Sequence, residues 1–256
     1  MAEDPYTIDR SKVRYKTDPS GHFQARYIYC NETDETDRIH ISVLIEGRPK
    51  PAQTFQLTVP PRSSETIHIS LHIPSGSHIV YIISQTYMFD ETDKEDINRH
   101  WNADYAAAYY FEIASNSAAA DQQAAPLLLE PVHHKTITEE RERPIYLSDR
   151  EGNRVANIVH EDMYLSFINE ETCKLKGYLY HFQNGAFREF QMNHHSAGAC
   201  IVELKPESVQ TYRISLNSQQ SGCFRFLATS ILPARADQDI PFPPRMFSYS
   251  GLYTFG

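Results

Sequence analysis

The stretch that decides the fold is Pro61–Leu71, which reads PRSSETIHISL and continues into His72 and Ile73. From Thr66 to Ile73, polar and apolar residues alternate one by one. The apolar positions are Ile67, Ile69, Leu71 and Ile73. A period of two places these side chains on one face of an extended chain, so the pattern predicts a β-strand with one buried and one solvated face.

The same stretch recurs later in the chain. Pro206–Leu216 reads PESVQTYRISL and aligns without a gap at an offset of 206 − 61 = 145. The identical positions hold Pro, Thr, Ile, Leu and two Ser, and Tyr212, Ile214 and Leu216 repeat the apolar face. A segment that recurs in this way indicates a repeated structural unit.

Two further pairs of segments keep the same order along the chain. Tyr15–Gly21 and Tyr146–Gly152 share the pattern Tyr-x-(Thr/Ser)-Asp-x-x-Gly at an offset of 146 − 15 = 131. This pattern is typical of a strand that runs into a tight turn capped by Asp. Tyr27–Thr33 is similar to Tyr164–Thr172. Chance similarity between β-rich stretches is the alternative, but the preserved order favours an internal duplication.

Strands are predicted wherever the alternation recurs between turn residues. In the first copy they span residues 23–29, 39–45, 54–59, 66–73, 78–84 and 109–113, and in the second 163–168, 175–182, 187–191, 200–204, 211–216 and 224–229. The sequence therefore predicts an all-β fold of two tandem antiparallel β-sandwich domains, immunoglobulin-like or jelly-roll-like. The Cys…Trp…Cys signature of true immunoglobulin domains is missing, so only the architecture is predicted.

The predicted domains are residues 1–114 and 132–256, joined by an Ala/Ser/Gln linker over residues 115–131. The first domain contains a long excursion, residues 85–110. Within it, Thr92-Asp93-Lys94-Glu95 resembles a capping box, and Ile97, Trp101, Tyr105 and Ala108 follow at helical spacing. One short helix is expected there.

Composition and charge exclude several classes of function. The formal net charge of −9 disfavours nucleic acid and anionic membrane surfaces, because both are bound mainly through Lys and Arg. No apolar run approaches the ~18 residues of a spanning helix. The first residues lack a basic segment followed by an apolar one, so a cytoplasmic location is expected. There the Asn31-Glu32-Thr33 sequon carries no meaning, and free thiols are expected at Cys30, Cys173, Cys200 and Cys223, with Cys200–Cys223 as the one pair that could be bridged.

Catalytic and cofactor motifs are not recognisable. The sequence contains no Gly-x-Ser-x-Gly, no phosphate-binding loop and no calcium loop, and no cofactor is predicted. Twelve histidines raise the question of a metal, but His68 and His72 lie four residues apart, roughly 13 Å along a strand at ~3.3 Å per residue. They cannot share an ion by themselves, and no metal site is predicted. The acidic run from Asp90 to Asp96 is interpreted as a solvated helix start.

The excursion is the predicted contact region, because aromatic side chains dominate binding hot spots. The candidate binding residues are Tyr87, Phe89, Trp101, Tyr105 and Tyr109. The alternative is that Trp101 and Tyr105 simply pack a helix onto the sheet. The favoured function is a non-enzymatic protein that binds a protein partner or self-associates. A carbohydrate-binding protein, a capsid or filament subunit, and a metal-dependent enzyme using scattered His and Asp are the other hypotheses.

Overall fold

The computed structural model describes residues 14–86, 106–117, 126–137, 144–155, 158–159, 163–215, 223–231, 245–249 and 253–255. Every regular element among these residues is a β-strand, as the sequence predicts. The chain divides into two compact units, Met1–Ala124 and Ala125–Gly256.

The first unit contains seven described strands in two sheets. They are β1 (Arg14–Lys16), β2 (His22–Cys30), β3 (Asp37–Ile45), β4 (Gln53–Val59), β5 (Ser64–His72), β6 (Gly76–Thr86) and β7 (Ala106–Ser115). One sheet has the order β1-β7-β6-β3-β4, and the other pairs β2 with β5. All pairs are antiparallel except β1 with β7, which is parallel.

The core of this unit lies between its two sheets. The alternating face of β5 contributes Ile67, Ile69 and Leu71, and the larger sheet contributes residues such as Ile41 and Phe111. All of these side chains are at most 5% exposed. The alternation in the sequence therefore arises because one face of the two-stranded sheet is covered and the other is not.

The second unit contains fourteen described strands. They are β8 (Leu127–Leu128), β9 (His133–Thr136), β10 (Ile145–Ser148), β11 (Ile158–Val159), β12 (Met163–Asn169), β13 (Leu175–Gln183), β14 (Ala186–Arg188), β15 (Phe190–Met192), β16 (His195–Ala197), β17 (Ala199–Leu204), β18 (Ser208–Ser215), β19 (Cys223–Ile231), β20 (Arg245–Tyr249) and β21 (Tyr253–Phe255). One sheet runs β10-β12-β18-β15-β16, with β9 also on β18, and the other runs β11-β21-β19-β13-β17-β8, with β14 on β13 and β20 on β19. The main core cluster of this unit includes Phe167, Leu179, Tyr212 and Phe226, and a smaller cluster contains Tyr146, Ile168 and Val209.

The central strands of the two units pair in the same register. In the first unit β3 and β4 place Asp37 opposite Val59, and in the second β13 and β17 place Leu175 opposite Leu204. The offsets are 175 − 37 = 138 and 204 − 59 = 145. The same two offsets relate β2/β5 to β12/β18. Tyr29 faces Glu65 in the first unit, and Phe167 faces Gln210 in the second, so the offsets are 167 − 29 = 138 and 210 − 65 = 145.

A buried asparagine holds the same loop in both units. Asn31 Nδ2 donates to the carbonyl oxygens of Glu35, Val59 and Pro60, at 2.7, 3.0 and 3.0 Å. Asn169 Nδ2 donates to the carbonyl oxygens of Cys173, Leu204 and Lys205, at 2.8, 3.3 and 2.8 Å. In the structure Asn31 therefore corresponds to Asn169, an offset of 169 − 31 = 138. The sequence comparison aligned Tyr27 with Tyr164, an offset of 164 − 27 = 137, and so differs by one residue. Asn31 is only 2% exposed, so the asparagine of the sequon is buried.

The two Asp-x-x-Gly turns have the same hydrogen bonds but different strands before them. Gly21 N donates to Asp18 O at 3.0 Å, and Gly152 N donates to Asp149 O at 3.1 Å. However, β1 pairs with β7, the last described strand of its unit, whereas β10 pairs with β12, the second strand after the turn. The two segments therefore share the turn but not the pairing of the strand that precedes it.

The turn in the second unit requires glycine, and we expect Gly152→Ala to lower the free energy of unfolding by about 2 kcal/mol. Gly152 has φ +77°, and a Cβ there would lie 2.9 Å from Thr211 Oγ1. That hydroxyl belongs to a buried row of hydrogen-bonded hydroxyl groups. It lies 2.8 Å from Ser166 Oγ, which in turn lies 2.7 Å from Ser148 Oγ. Urea unfolding measures the effect. Gly185→Ala, at a half-exposed turn with φ +75°, is the control for backbone strain alone, and equal losses in both variants would contradict the overlap.

Several sequence predictions differ from the structure. Ala106–Ala108 lie in β7 rather than at the end of a helix, and the rest of the predicted helix falls outside the described residues. Ser115, assigned to the linker, ends β7, and Leu127–Leu128 forms a strand of the second unit. Cys200 is a free thiol, and its strand β17 is separated from β19, which begins at Cys223, by β13. Two more parallel pairs, β11/β21 and β8/β17, depart from the all-antiparallel prediction.

Candidate functional site

Of the five predicted binding residues, only Tyr109 lies in the described part of the chain. Tyr109 lies in β7, half-buried, with its ring packed on the hydrophobic core and its centroid 5.9 Å from that of Phe111. It therefore contributes to packing. The other predicted binding residues, Tyr87, Phe89, Trp101 and Tyr105, lie outside the described residues.

The groups with the most shifted pKa values are buried among apolar side chains. Burial lowers the pKa of His181 to about 4 and raises the pKa of the Cys200 thiol to about 12. Burial also raises the pKa of Tyr212. All three groups are therefore held in their neutral form at neutral pH, which suits a core and makes Cys200 a poor nucleophile. Within the described ranges, no group of three or more His, Cys, Asp or Glu is placed to hold a metal ion.

The most distinctive surface of the first unit is the edge formed by β4. This strand is the last in its sheet, so one of its two sides has no strand beside it among the described residues. Its sequence, QTFQLTV, contains no charged residue and no proline. Natural proteins usually protect such an edge with lysine, proline or a bulge, because an unprotected edge pairs readily with another chain.

The equivalent edge in the second unit is occupied. By the offset of 145, Phe55 and Gln56 correspond to Cys200 and Ile201 of β17. These two residues pair in parallel with Leu127 and Leu128 of β8, and Leu129 N continues the pairing to Ile201 O at 3.2 Å. The same position in the fold therefore accepts an apolar extended segment in one unit and is open in the described part of the other.

The side chains of β4 divide into two sets. Phe55 and Leu57 are half-buried against the core, whereas Thr54, Gln56 and Thr58 are exposed. At one end the Gln53 side chain accepts a hydrogen bond from Ser70 N of β5 at 3.0 Å. The edge is thus anchored to the opposite sheet at Gln53, and from Thr54 onward no described strand lies beside it.

A second open surface is the outer face of β2 and β5. It carries His22, Gln24 and Arg26 on one strand and His68 and His72 on the other. In the second unit the turn at Gly152 lies over Ser166 and Thr211, so the outer face of β12 and β18 is covered at these two buried residues. Sequence reasoning predicted the solvated face of residues 66–73 but neither the strand beside it nor the β4 edge, since strand order and cross-strand pairing are set by contacts distant in the chain.

The described residues define an all-β protein of sandwich-like units. None of their elements is a helix of the length and apolar character that crossing a membrane requires. No protein-family model matches the chain, and no curated protein matches it significantly.

Solved structures with related β domains include a crystal structure of the calcium binding domain CBD12 of CALX1.1, at 10% identity and a TM-score of 0.26, covering 93% of this chain and 96% of that one. The multicopper oxidase Fet3p has 12% identity and a TM-score of 0.22, covering 85% of this chain and 54% of that one. A laccase from Pediococcus acidilactici has 12% identity and a TM-score of 0.23, covering 95% and 50%. The chain thus spans about half the length of the two oxidases, and at these scores the similarity extends only to a general β architecture.

Proposed function

We propose that this chain is a non-enzymatic, self-associating protein, and that two copies join through their β4 edges. The observation that carries the proposal is the uncharged β4 strand at the end of its sheet, at the position where β17 of the second unit accepts β8. An edge without protective charge favours strand addition.

The sequence of β4 is complementary to itself. If two copies pair antiparallel about Gln56, Phe55 of one copy faces Leu57 of the other, and Thr54 faces Thr58. Aromatic–aliphatic and Thr–Thr cross-strand pairs each stabilise a sheet by roughly 0.2–1 kcal/mol. The pairing extends the five-stranded sheet of one copy into that of the second, so the partner is a second copy of this chain.

The central pair gives the sharpest test, because the two Gln56 side chains face each other across the symmetry axis. We expect Gln56→Lys and Gln56→Glu each to be monomeric, since like charges directly opposite are destabilising. An equimolar mixture of the two variants is expected to recover a dimer, which sedimentation velocity or light scattering measures against the dimeric wild type.

Thr66→Lys is the matched control, because Thr66 is an exposed strand residue of β5, which belongs to the other sheet. This variant is expected to remain dimeric. A wild type that stays monomeric at high concentration would overturn the proposal, as would a mixture of the two Gln56 variants that does not associate.

We also propose that the two units arose by duplication of an immunoglobulin-like sandwich. Support comes from the shared offsets of 138 and 145, from the equivalent Asn31 and Asn169 loops, and from the strand order β7-β6-β3-β4 opposite β2-β5, which is the order G-F-C-C′ opposite B-E. On this proposal, β8 fills in the second unit the edge that the first unit uses for association.

A further inference from the structure

The outer face of the first unit brings two histidines together that are fifty positions apart in the sequence. His22 begins β2, His72 ends β5, and the two residues lie directly opposite each other in the antiparallel ladder. Their ring centroids are 5.2 Å apart, with an angle of 81° between the ring planes. Both side chains are exposed, and no described residue hydrogen-bonds to either imidazole.

The position in the ladder brings the two side chains close. Ile73 N donates to Gly21 O at 2.8 Å, so the neighbouring pair Gly21/Ile73 is a hydrogen-bonded one. Hydrogen-bonded and non-hydrogen-bonded pairs alternate in an antiparallel sheet, which makes His22/His72 a non-hydrogen-bonded pair. Such pairs have the shorter Cα···Cα distance, about 4.5 Å, and the closer side chains.

The ring separation fits two imidazoles bound to one metal ion. Zn²⁺ binds histidine nitrogen at about 2.0–2.1 Å with tetrahedral angles. The centre of an imidazole ring lies about 1 Å beyond the ligating nitrogen, so two rings on one tetrahedral ion have centres about 5 Å apart. The observed 5.2 Å therefore requires rotation of the exposed side chains but no movement of the strands.

We propose that His22 and His72 form a binding site for a divalent transition-metal ion. Imidazole nitrogen is a preferred ligand of Zn²⁺, Cu²⁺ and Ni²⁺, whereas Mg²⁺ and Ca²⁺ prefer oxygen. Two protein ligands leave the remaining positions to water, so the site is open to solvent. The proposal is independent of the β4 edge, because the two ligands lie on the other sheet.

The charges around the pair favour a cation at this end of the sheet. Asp18 Oδ1 accepts a hydrogen bond from His22 N at 2.8 Å, and its carboxylate interacts electrostatically with His22. Arg26 and His68 also face each other on this surface, but four residues further along each strand, roughly 13 Å away at ~3.3 Å per residue. Asp18 therefore places a carboxylate beside the pair, and His68 is too distant to share the ion.

Calorimetry on the full chain, stripped of metal with EDTA and titrated with ZnCl₂ or CuSO₄, tests the site. We expect His22→Ala and His72→Ala each to weaken the tightest binding step at least tenfold. His68→Ala, on the same face of the same sheet, is the matched control and is expected to bind as the wild type does. MgCl₂ and CaCl₂ are expected to give no heat at this site.

The chain has twelve histidines, so metal ions can also bind weakly at other histidines. Only binding at the proposed site is expected to change in the His22→Ala and His72→Ala variants. Cu²⁺ is paramagnetic, and at substoichiometric amounts it is expected to broaden the imidazole NMR signals of His22 and His72 first. Unchanged affinity in both alanine variants, or broadening that begins at other histidines, would overturn the proposal. Circular dichroism confirms that the exposed substitutions leave the fold intact.

Discussion

Asn169→Asp is expected to lower the free energy of unfolding of the second unit by about 3–5 kcal/mol at neutral pH. The side chain is 1% exposed, and its Nδ2 donates to three backbone carbonyl oxygens of two loops. Aspartate has the same shape but places a carboxylate oxygen against those three carbonyls. The substitution removes both N–H donors of the amide and buries a charge with no counter-charge, so both effects act in the same direction.

Urea unfolding at pH 7, with wild type and variant compared side by side, measures the loss. Gln191→Glu is the matched control, since it makes the same chemical change at an exposed strand position and is expected to alter stability by less than about 0.5 kcal/mol. Asn31→Asp is expected to act on the first unit as Asn169→Asp acts on the second. A loss under about 1 kcal/mol at both positions would show that the two asparagines do not hold their loops as described.

The strands and turns were predictable because their causes are local. The alternation from Thr66 to Ile73 reflects one buried and one exposed face, and β5 has that burial pattern. Likewise, the Asp-x-x-Gly segments form their turns with bonds between near neighbours, such as Gly21 N to Asp18 O. In both cases the residues that determine the structure lie within the same short segment, so the pattern of that segment predicts it.

The candidate site could not be predicted, because its causes are distant in the sequence. Both β4 and β17 are predictable as strands, but only the sheet order shows that β8 lies beside β17, whereas β4 has no strand on one side among the described residues. His68 and His72 are close in the sequence, but the fold brings His22 and His72 together. The sequon at Asn31 was predicted to carry no meaning, and the structural role of this residue comes instead from its burial and three hydrogen bonds.

His181 is expected to make the second unit less stable as the pH falls from about 6.5 to about 4. The ring lies between Phe190 and Phe226, with centroid distances of 5.9 and 5.2 Å, and is 2% exposed. Burial lowers its pKa to about 4, and the nearby Arg188 charge acts in the same direction, while a hydrogen bond with the Arg188 backbone opposes it. Between pH 6.5 and pH 4, His181 therefore binds a proton in the unfolded chain, where its pKa is the usual 6.5 or so, but stays neutral in the folded chain.

The sign and size follow from this difference. Above pH 6.5 His181 is neutral in both states and the contribution of its titration is zero. Between 6.5 and 4 only the unfolded state gains a proton, so stability falls by about 1.4 kcal/mol per pH unit, about 3 kcal/mol in all, and the loss is constant below pH 4. Urea unfolding from pH 7 to pH 4 measures it, and NMR titration of the His181 ring reports its pKa directly. His181→Phe removes the titrating group, so it is expected to flatten this part of the profile relative to the wild type. If the variant and the wild type lose stability in parallel, other groups cause the loss and the ring is not excluded from protonation in the folded state.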